Sequence, residues 1–140
     1  MRAPLALALL AVLVCLPGAA VAEHEVQFRF TVLGYVKDAK GQPLTGEVVE
    51  VTRNKTGLAY QADTDAQGLY MVTARLGDEA LGETLTVRVG GARTTVAVGF
   101  EAANHHDERG TRVDLEGTRW LVRPAWFRST LARILAPPAR

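Results

Sequence analysis

From Val26 to Leu115 apolar and polar residues exchange places with a period of two. Val26, Phe28, Phe30, Val32 and Val36 interleave with Gln27, Arg29, Thr31 and Lys37. In an extended chain that order places one set on each face. The alternation returns at Glu47 to Thr52, with Val49 and Val51 on one side, then at Leu58, Tyr60 and Ala62, and at Tyr70, Val72 and Ala74. It returns again at Leu85, Val87 and Val89, at Val96, Val98 and Phe100, and briefly at Val113 and Leu115. Turn formers separate these runs: Asp38 to Pro43, Asn54 to Gly57, Thr64 to Tyr70, and the pair Gly90-Gly91. They recur at roughly ten-residue intervals, and no helical period intervenes before residue 118. The pattern predicts an all-β chain folded as a seven-stranded antiparallel sandwich of the Ig-like kind.

The ends of the chain are of a different nature. Arg2, the apolar run Leu5 to Leu16, the break at Pro17-Gly18 and the small-x-small sequence Ala20-Val21-Ala22 together predict a signal peptide over residues 1–22. The run is too short to span a bilayer. Val12-Leu13-Val14 before Cys15 is unlike a lipoprotein signal, which wants small residues there. Cleavage after Ala22 exports residues 23–140 to a periplasm or to the medium and removes the only cysteine, so apolar packing rather than disulfides must hold the fold. Residues 23–118 carry ten Lys/Arg against fifteen Asp/Glu, whereas residues 119–140 carry five arginines and no acid. The near-neutral total argues against a nucleic-acid partner. The division predicts a sandwich over 23–118 and a basic tail over 119–140.

Within the sandwich, Gly34-x-Val36, Asp38-x-x-Gly41-x-Pro43-Leu44-x-Gly46, Val49-x-Val51 and Thr64-Asp65-x-x-Gly68-x-Tyr70 stand in order. Over roughly residues 26–100 the chain thereby resembles the carboxypeptidase regulatory-like domain, a transthyretin-like (prealbumin-like) sandwich. Glu47 departs from that family, which usually has a small residue at this point. The resemblance implies a non-catalytic accessory or binding module with no cofactor, and not an enzyme. Asp65 is read as a turn former whose carboxylate takes backbone N–H groups two residues on, with Gly68 supplying the left-handed position.

Enzymatic readings fail on specific residues. His105-x-x-Glu108 has the zinc-ligand spacing of metallocarboxypeptidases but lacks their large α/β scaffold. Transthyretin-like hydroxyisourate hydrolases end in a Tyr-Arg-Gly-Ser type motif, and this chain ends Ala-Pro-Pro-Ala-Arg. An isopeptide-forming lysine must point inward from the first strand, and Lys37 has the outward parity. A simpler metal site is the alternative. Strands of alternating direction bring His24 to the same end as His105 and His106, among Asp78, Glu79, Glu83, Asp107 and Glu108. Imidazoles with carboxylates suit copper or zinc. Cleavage one residue earlier, after Val21, leaves Ala-Glu-His, which binds Cu(II) through its amine and backbone nitrogens.

In the tail, Pro124 suits the first turn of a helix. Trp126, Phe127, Thr130, Leu131, Ile134 and Leu135 then recur at helical spacing, opposite Arg128, Ser129, Ala132 and Arg133, until Pro137-Pro138. So short an amphipathic helix needs a surface to lie on. Three are open: its own sandwich, a partner protein met through Trp126, Phe127, Leu131, Ile134 and Leu135, or an anionic membrane touched peripherally. The sequence therefore predicts an exported non-catalytic binding or accessory module that docks to a larger envelope complex or surface, with metal handling through His24, His105 and His106 as the alternative.

Overall fold

The computed structural model describes residues 26–138; the segment 1–22 and His24 lie outside the described residues. Among the described residues there are eight strands: β1 (Phe28–Lys37), β2 (Val48–Arg53), β3 (Ala59–Asp63), β4 (Leu69–Leu76), β5 (Thr84–Val89), β6 (Ala92–Ala97), β7 (Arg109–Glu116) and β8 (Arg119–Val122). They form two four-stranded sheets, ordered β4-β1-β7-β8 and β3-β2-β5-β6. A 3-10 turn at Pro124–Trp126 leads into the helix α1 (Phe127–Leu135).

The inner faces of the two sheets share one core. Phe30, Val32, Tyr70 and Val113 from the first meet Val49, Val51, Leu85 and Val87 from the second, all at 1 % exposure or less. These are the inward positions of the period-two alternation. The Tyr70 hydroxyl donates to the Val113 carbonyl from beneath β1. Burial, followed by the charge of Asp114, pushes its pKa up.

The Thr64–Tyr70 turn is built as its residues require. The Asp65 carboxylate accepts from the Gln67 N–H at 2.9 Å and the Leu69 N–H at 3.0 Å. Gly68 has φ +77°, and a Cβ there would run into the Val36 carbonyl oxygen.

Three expectations need correction. The sheets are not wholly antiparallel, because β1 and β7 run parallel, Phe30 opposite Arg109 and Val36 opposite Leu115. Alternation specifies faces, not neighbours, so it does not carry this pairing. Among the described residues there are eight strands where the sequence predicts seven, since Arg119–Val122, assigned by sequence to the tail, pairs antiparallel with β7. The sixth strand ends at Ala97, although Val98 stays buried and bonds to the Glu83 carbonyl at 2.8 Å.

β1 is central and covered on both sides. Thr31 and Leu33, on its outward register, are as buried as its core residues. The cover is α1: Phe127 and Leu131 pack on Leu33, with Met71 and Ile134 beside them. Gly110 permits the close approach, since a Cβ there would meet the Thr31 carbonyl and the Phe127 ring. Burying two such side chains contributes about 3–5 kcal/mol, enough to order a helix that is marginal alone.

Candidate functional site

Two clusters of chemistry-bearing side chains stand outside the core. The first is at the end of the fold where the loop 98–108 meets the turn Asp78–Ala80. Arg109, 6 % exposed, lies between the rings of Phe28 (4.6 Å) and Phe100 (3.9 Å). It donates to Asp78 Oδ1 at 2.8 Å and to the Asn104 carbonyl at 3.1 Å, tying the loop to the sandwich. His105 lies flat on Phe28, ring centroids 4.6 Å apart, with Nε2 2.9 Å from Asp78 Oδ2. The Arg109 guanidinium, and after it His105, hold the Asp78 carboxyl below the usual carboxylate range.

This end assembles part of the expected metal set and disperses the rest. His105 does meet a carboxylate, but that carboxylate already neutralises Arg109. His106 is exposed, and its backbone N–H bonds to Asn104 Oδ1 at 3.0 Å. Glu83 is engaged by Arg53 through two contacts of 2.7 Å, Glu108 by Arg29 at 2.7 Å, and Asp107 by Arg128 at 3.7 Å. Among the described residues no three His, Cys, Asp or Glu side chains converge on one point. His105 and Glu108 face different partners, so the H-x-x-E spacing does not become a pair of ligands. The recess of about 420 Å³ between this loop and Pro124–Arg128 is lined by Glu101, Asp107 and Glu108 with Arg109 and Arg128, and Asp107 pairs with Arg128 across it.

The second cluster was not read from the sequence. On the outer face of the first sheet, beside α1, lies a recess of about 370 Å³ lined by Arg112, Trp126, Ser129, Thr130 and Arg133. Asp114, its side chain 3 % exposed, anchors the cluster from below. Its Oδ1 accepts from the Tyr35 N–H at 2.9 Å, and its Oδ2 accepts from Arg112 Nε at 3.1 Å and Arg123 Nη1 at 2.8 Å. Arg112 Nη1 donates to Thr130 Oγ1 at 2.9 Å, which joins strand to helix. The Arg112 guanidinium is thus held over the Tyr35 ring (5.2 Å) and near Trp126 (5.4 Å), while that of Arg123 lies 4.5 Å from the Trp126 centroid. Arg133 Nη2 reaches the Tyr35 hydroxyl at 3.3 Å.

Of the residues assigned to docking, Phe127 and Leu131 are buried on Leu33 and cannot meet a partner, because the outer face of β1 takes them. Ile134 is half-buried beside them. Trp126 at 51 % and Leu135 at 67 % remain exposed. Arg112 and Asp114 sit two apart on one strand, on the parity opposite the core. Their only trace in the sequence is an opposite-charge pair on a face expected to be wet.

No family model and no curated protein matches the chain. Among solved structures, the dioxygenase domain of a dioxygenase carbohydrate-binding protein fusion from Streptomyces sp. SirexAA-E is 16% identical, with a TM-score of 0.44, over 67% of this chain and 82% of that one. Catechol 1,2-dioxygenase from Acinetobacter sp. ADP1, inhibited by bound mercury, is 15% identical with a TM-score of 0.45. That likeness covers 66% of this chain and spans about half, 53%, of the enzyme. Likeness at this level bears on neither activity nor ligand.

Proposed function

We propose that the chain is an exported, non-catalytic binding module whose ligand or partner is met on the helix-covered face of the first sheet. The architecture is assigned to the carboxypeptidase regulatory-like, transthyretin-like type, with β8 as an added strand. The motifs from Gly34 to Tyr70 support that assignment, and the 1–22 segment supports delivery to a periplasm or to the medium. The recess at Arg112, Trp126 and Arg133 carries the functional reading. Its cations come from a strand and a helix, Arg112 is oriented by the buried Asp114 carboxylate, and a half-exposed indole lines the same recess. Ser129 Oγ and Thr130 Oγ1 both donate to the Trp126 carbonyl, so the hydroxyls in the recess serve the backbone instead of standing as nucleophiles. These are recognition groups.

A photo-crosslinker at Trp126, compared with one at exposed Gln61 on the opposite sheet, tests the reading in producing cells. Crosslinks from 126 alone, on a chain whose N-terminus is Glu23, are expected. Equal crosslinking from both positions, or a chain retained uncut in the cytoplasm, refutes it. The copper or zinc alternative keeps one supporting observation, the His105–Asp78 contact.

A further inference from the structure

We propose that the recess between α1 and the outer face of β1 and β7 binds an acidic saccharide, its carboxylate or phosphate taken by the arginines and its ring laid on Trp126. This rests on the reading above that the helix-covered face is the binding face, and it adds the chemistry of the ligand.

The charge on this face is unbalanced. Around the recess Lys37, Arg112, Arg119, Arg123 and Arg133 stand against Asp114 and Glu116, while farther along the same face Glu108 is paired with Arg29. Lys37 and Glu116 are register partners, as are Glu116 and Arg119. Asp114 is saturated by the Tyr35 N–H, Arg112 and Arg123. One carboxylate offsets one guanidinium, whereas three guanidiniums gather around Trp126 and Tyr35. Among the described residues Arg123 meets this single carboxylate and Arg133 meets none. A role limited to neutralising Asp114 therefore leaves most of the cluster unused. Planar guanidinium forks fixed by packing suit a carboxylate or phosphate.

The aromatic partner defines the rest of the ligand. Trp126 is steered by Arg112 and Arg123, yet half of it stays open. An indole beside cations takes a ring with an apolar face carrying an anion, and the recess of about 370 Å³ falls within the usual range for small-ligand sites, about 300–1,000 Å³. A membrane surface fits less well. The helix has committed Phe127 and Leu131 to its own sheet, and its exposed apolar residues, Trp126 and Leu135, lie at opposite ends. No contiguous apolar face is left to insert.

Calorimetric titration of the purified protein with oligogalacturonate tests the proposal, beside a neutral cello-oligosaccharide, inorganic phosphate, and vesicles of phosphatidylglycerol and phosphatidylcholine. Oligogalacturonate is expected to bind one to one and to weaken with salt. Arg133→Gln is expected to cost about tenfold, the scale of one hydrogen bond to a charged group, and Trp126→Ala at least about as much. Both side chains are exposed, and unchanged far-UV circular dichroism checks that each variant folds. Equal binding of the neutral sugar, indifference to both substitutions, or no binding by folded protein overturns the proposal. Binding confined to vesicles, or to inorganic phosphate, overturns it in favour of that source. The crosslinking comparison at residues 126 and 61 reports separately on the module reading, which survives any of these failures.

Discussion

Asp114→Asn tests whether the buried carboxylate organises the helix-covered face. The substitution keeps the shape and keeps an oxygen for the Tyr35 N–H at 2.9 Å, but it removes the charge facing Arg112 and Arg123. It also turns an amide donor toward guanidinium donors. The two arginines respond differently. Arg123, with its side chain 30 % exposed, can turn to water, so its share is small, about 0.5–1 kcal/mol on the scale of solvent-accessible pairs. Arg112, 14 % exposed and fixed to Thr130, keeps an uncompensated charge, and breaking such a buried pair costs about 3 kcal/mol. The sum, roughly 3–4 kcal/mol, is a large part of the 5–15 kcal/mol typical of a folded domain. Urea denaturation followed by far-UV circular dichroism should show a lower midpoint at an unchanged slope. Adding Arg112→Met should recover about half of the loss, since the stranded cation is then gone. A single variant within about 0.5 kcal/mol of wild type, or a double variant no better than the single, refutes the assigned role.

Phe127→Ala should lower stability by about 3–4 kcal/mol and bring dye binding at newly exposed Leu33, measured by urea midpoint and anilinonaphthalene sulfonate fluorescence. Gly110→Ala should displace the Phe127 ring and change the near-ultraviolet signal of the helix-side aromatics, while Gly68→Ala, at φ +77°, should cost at least about 1 kcal/mol. Asp78 and Glu83 both have carboxyls held low, by Arg109 then His105 and by Arg53 respectively. Carboxyls held low in the fold add stability above their unfolded pKa and lose it as pH falls through the folded one. The urea midpoint should therefore hold from neutral pH to about pH 5 and drop below about pH 4, a drop that Asp78→Asn and Glu83→Gln together flatten. Copper or zinc titration of wild type, His105→Ala and His106→Ala separates the two functional readings: a dissociation constant tighter than about 1 mM, lost in the variants, would favour metal handling.

The strands most readable in the sequence are those with one wet face. β2 and β5 alternate cleanly because their outer sides meet water, and Asp65 with Gly68 announces a turn whose hydrogen bonds are local. The alternation marks β1 as a strand, yet Leu33 on its outward parity signals a second apolar layer, the place where α1 docks. β8 is ambiguous in the sequence, where Trp120 fits a linker or a final strand equally, because four residues, Arg-Trp-Leu-Val, show too little period and sit in a basic segment. The parallel partner of β1 is a matter of topology and leaves no local mark. Arg109 illustrates why burial is hard to infer for a cation: its place depends on Phe28, Phe100 and Asp78 arriving from three other segments. The arginine recess is invisible for the same reason, since Tyr35, Arg112, Trp126 and Arg133 come together only when the helix folds back.

The parallel seam between β1 and β7 has a kinetic consequence. β1 ends at Lys37 and β7 begins at Arg109, so the first strand made must wait for one of the last before its second flank is closed. A chain emerging amino-end first, from a ribosome or through a translocon, therefore holds a long apolar strand half-paired while the intervening residues appear. Non-local pairing of this kind slows folding and prolongs exposure of a sticky edge. The helix, which caps that strand's other side, arrives later still, so completion of the fold and completion of the recess coincide.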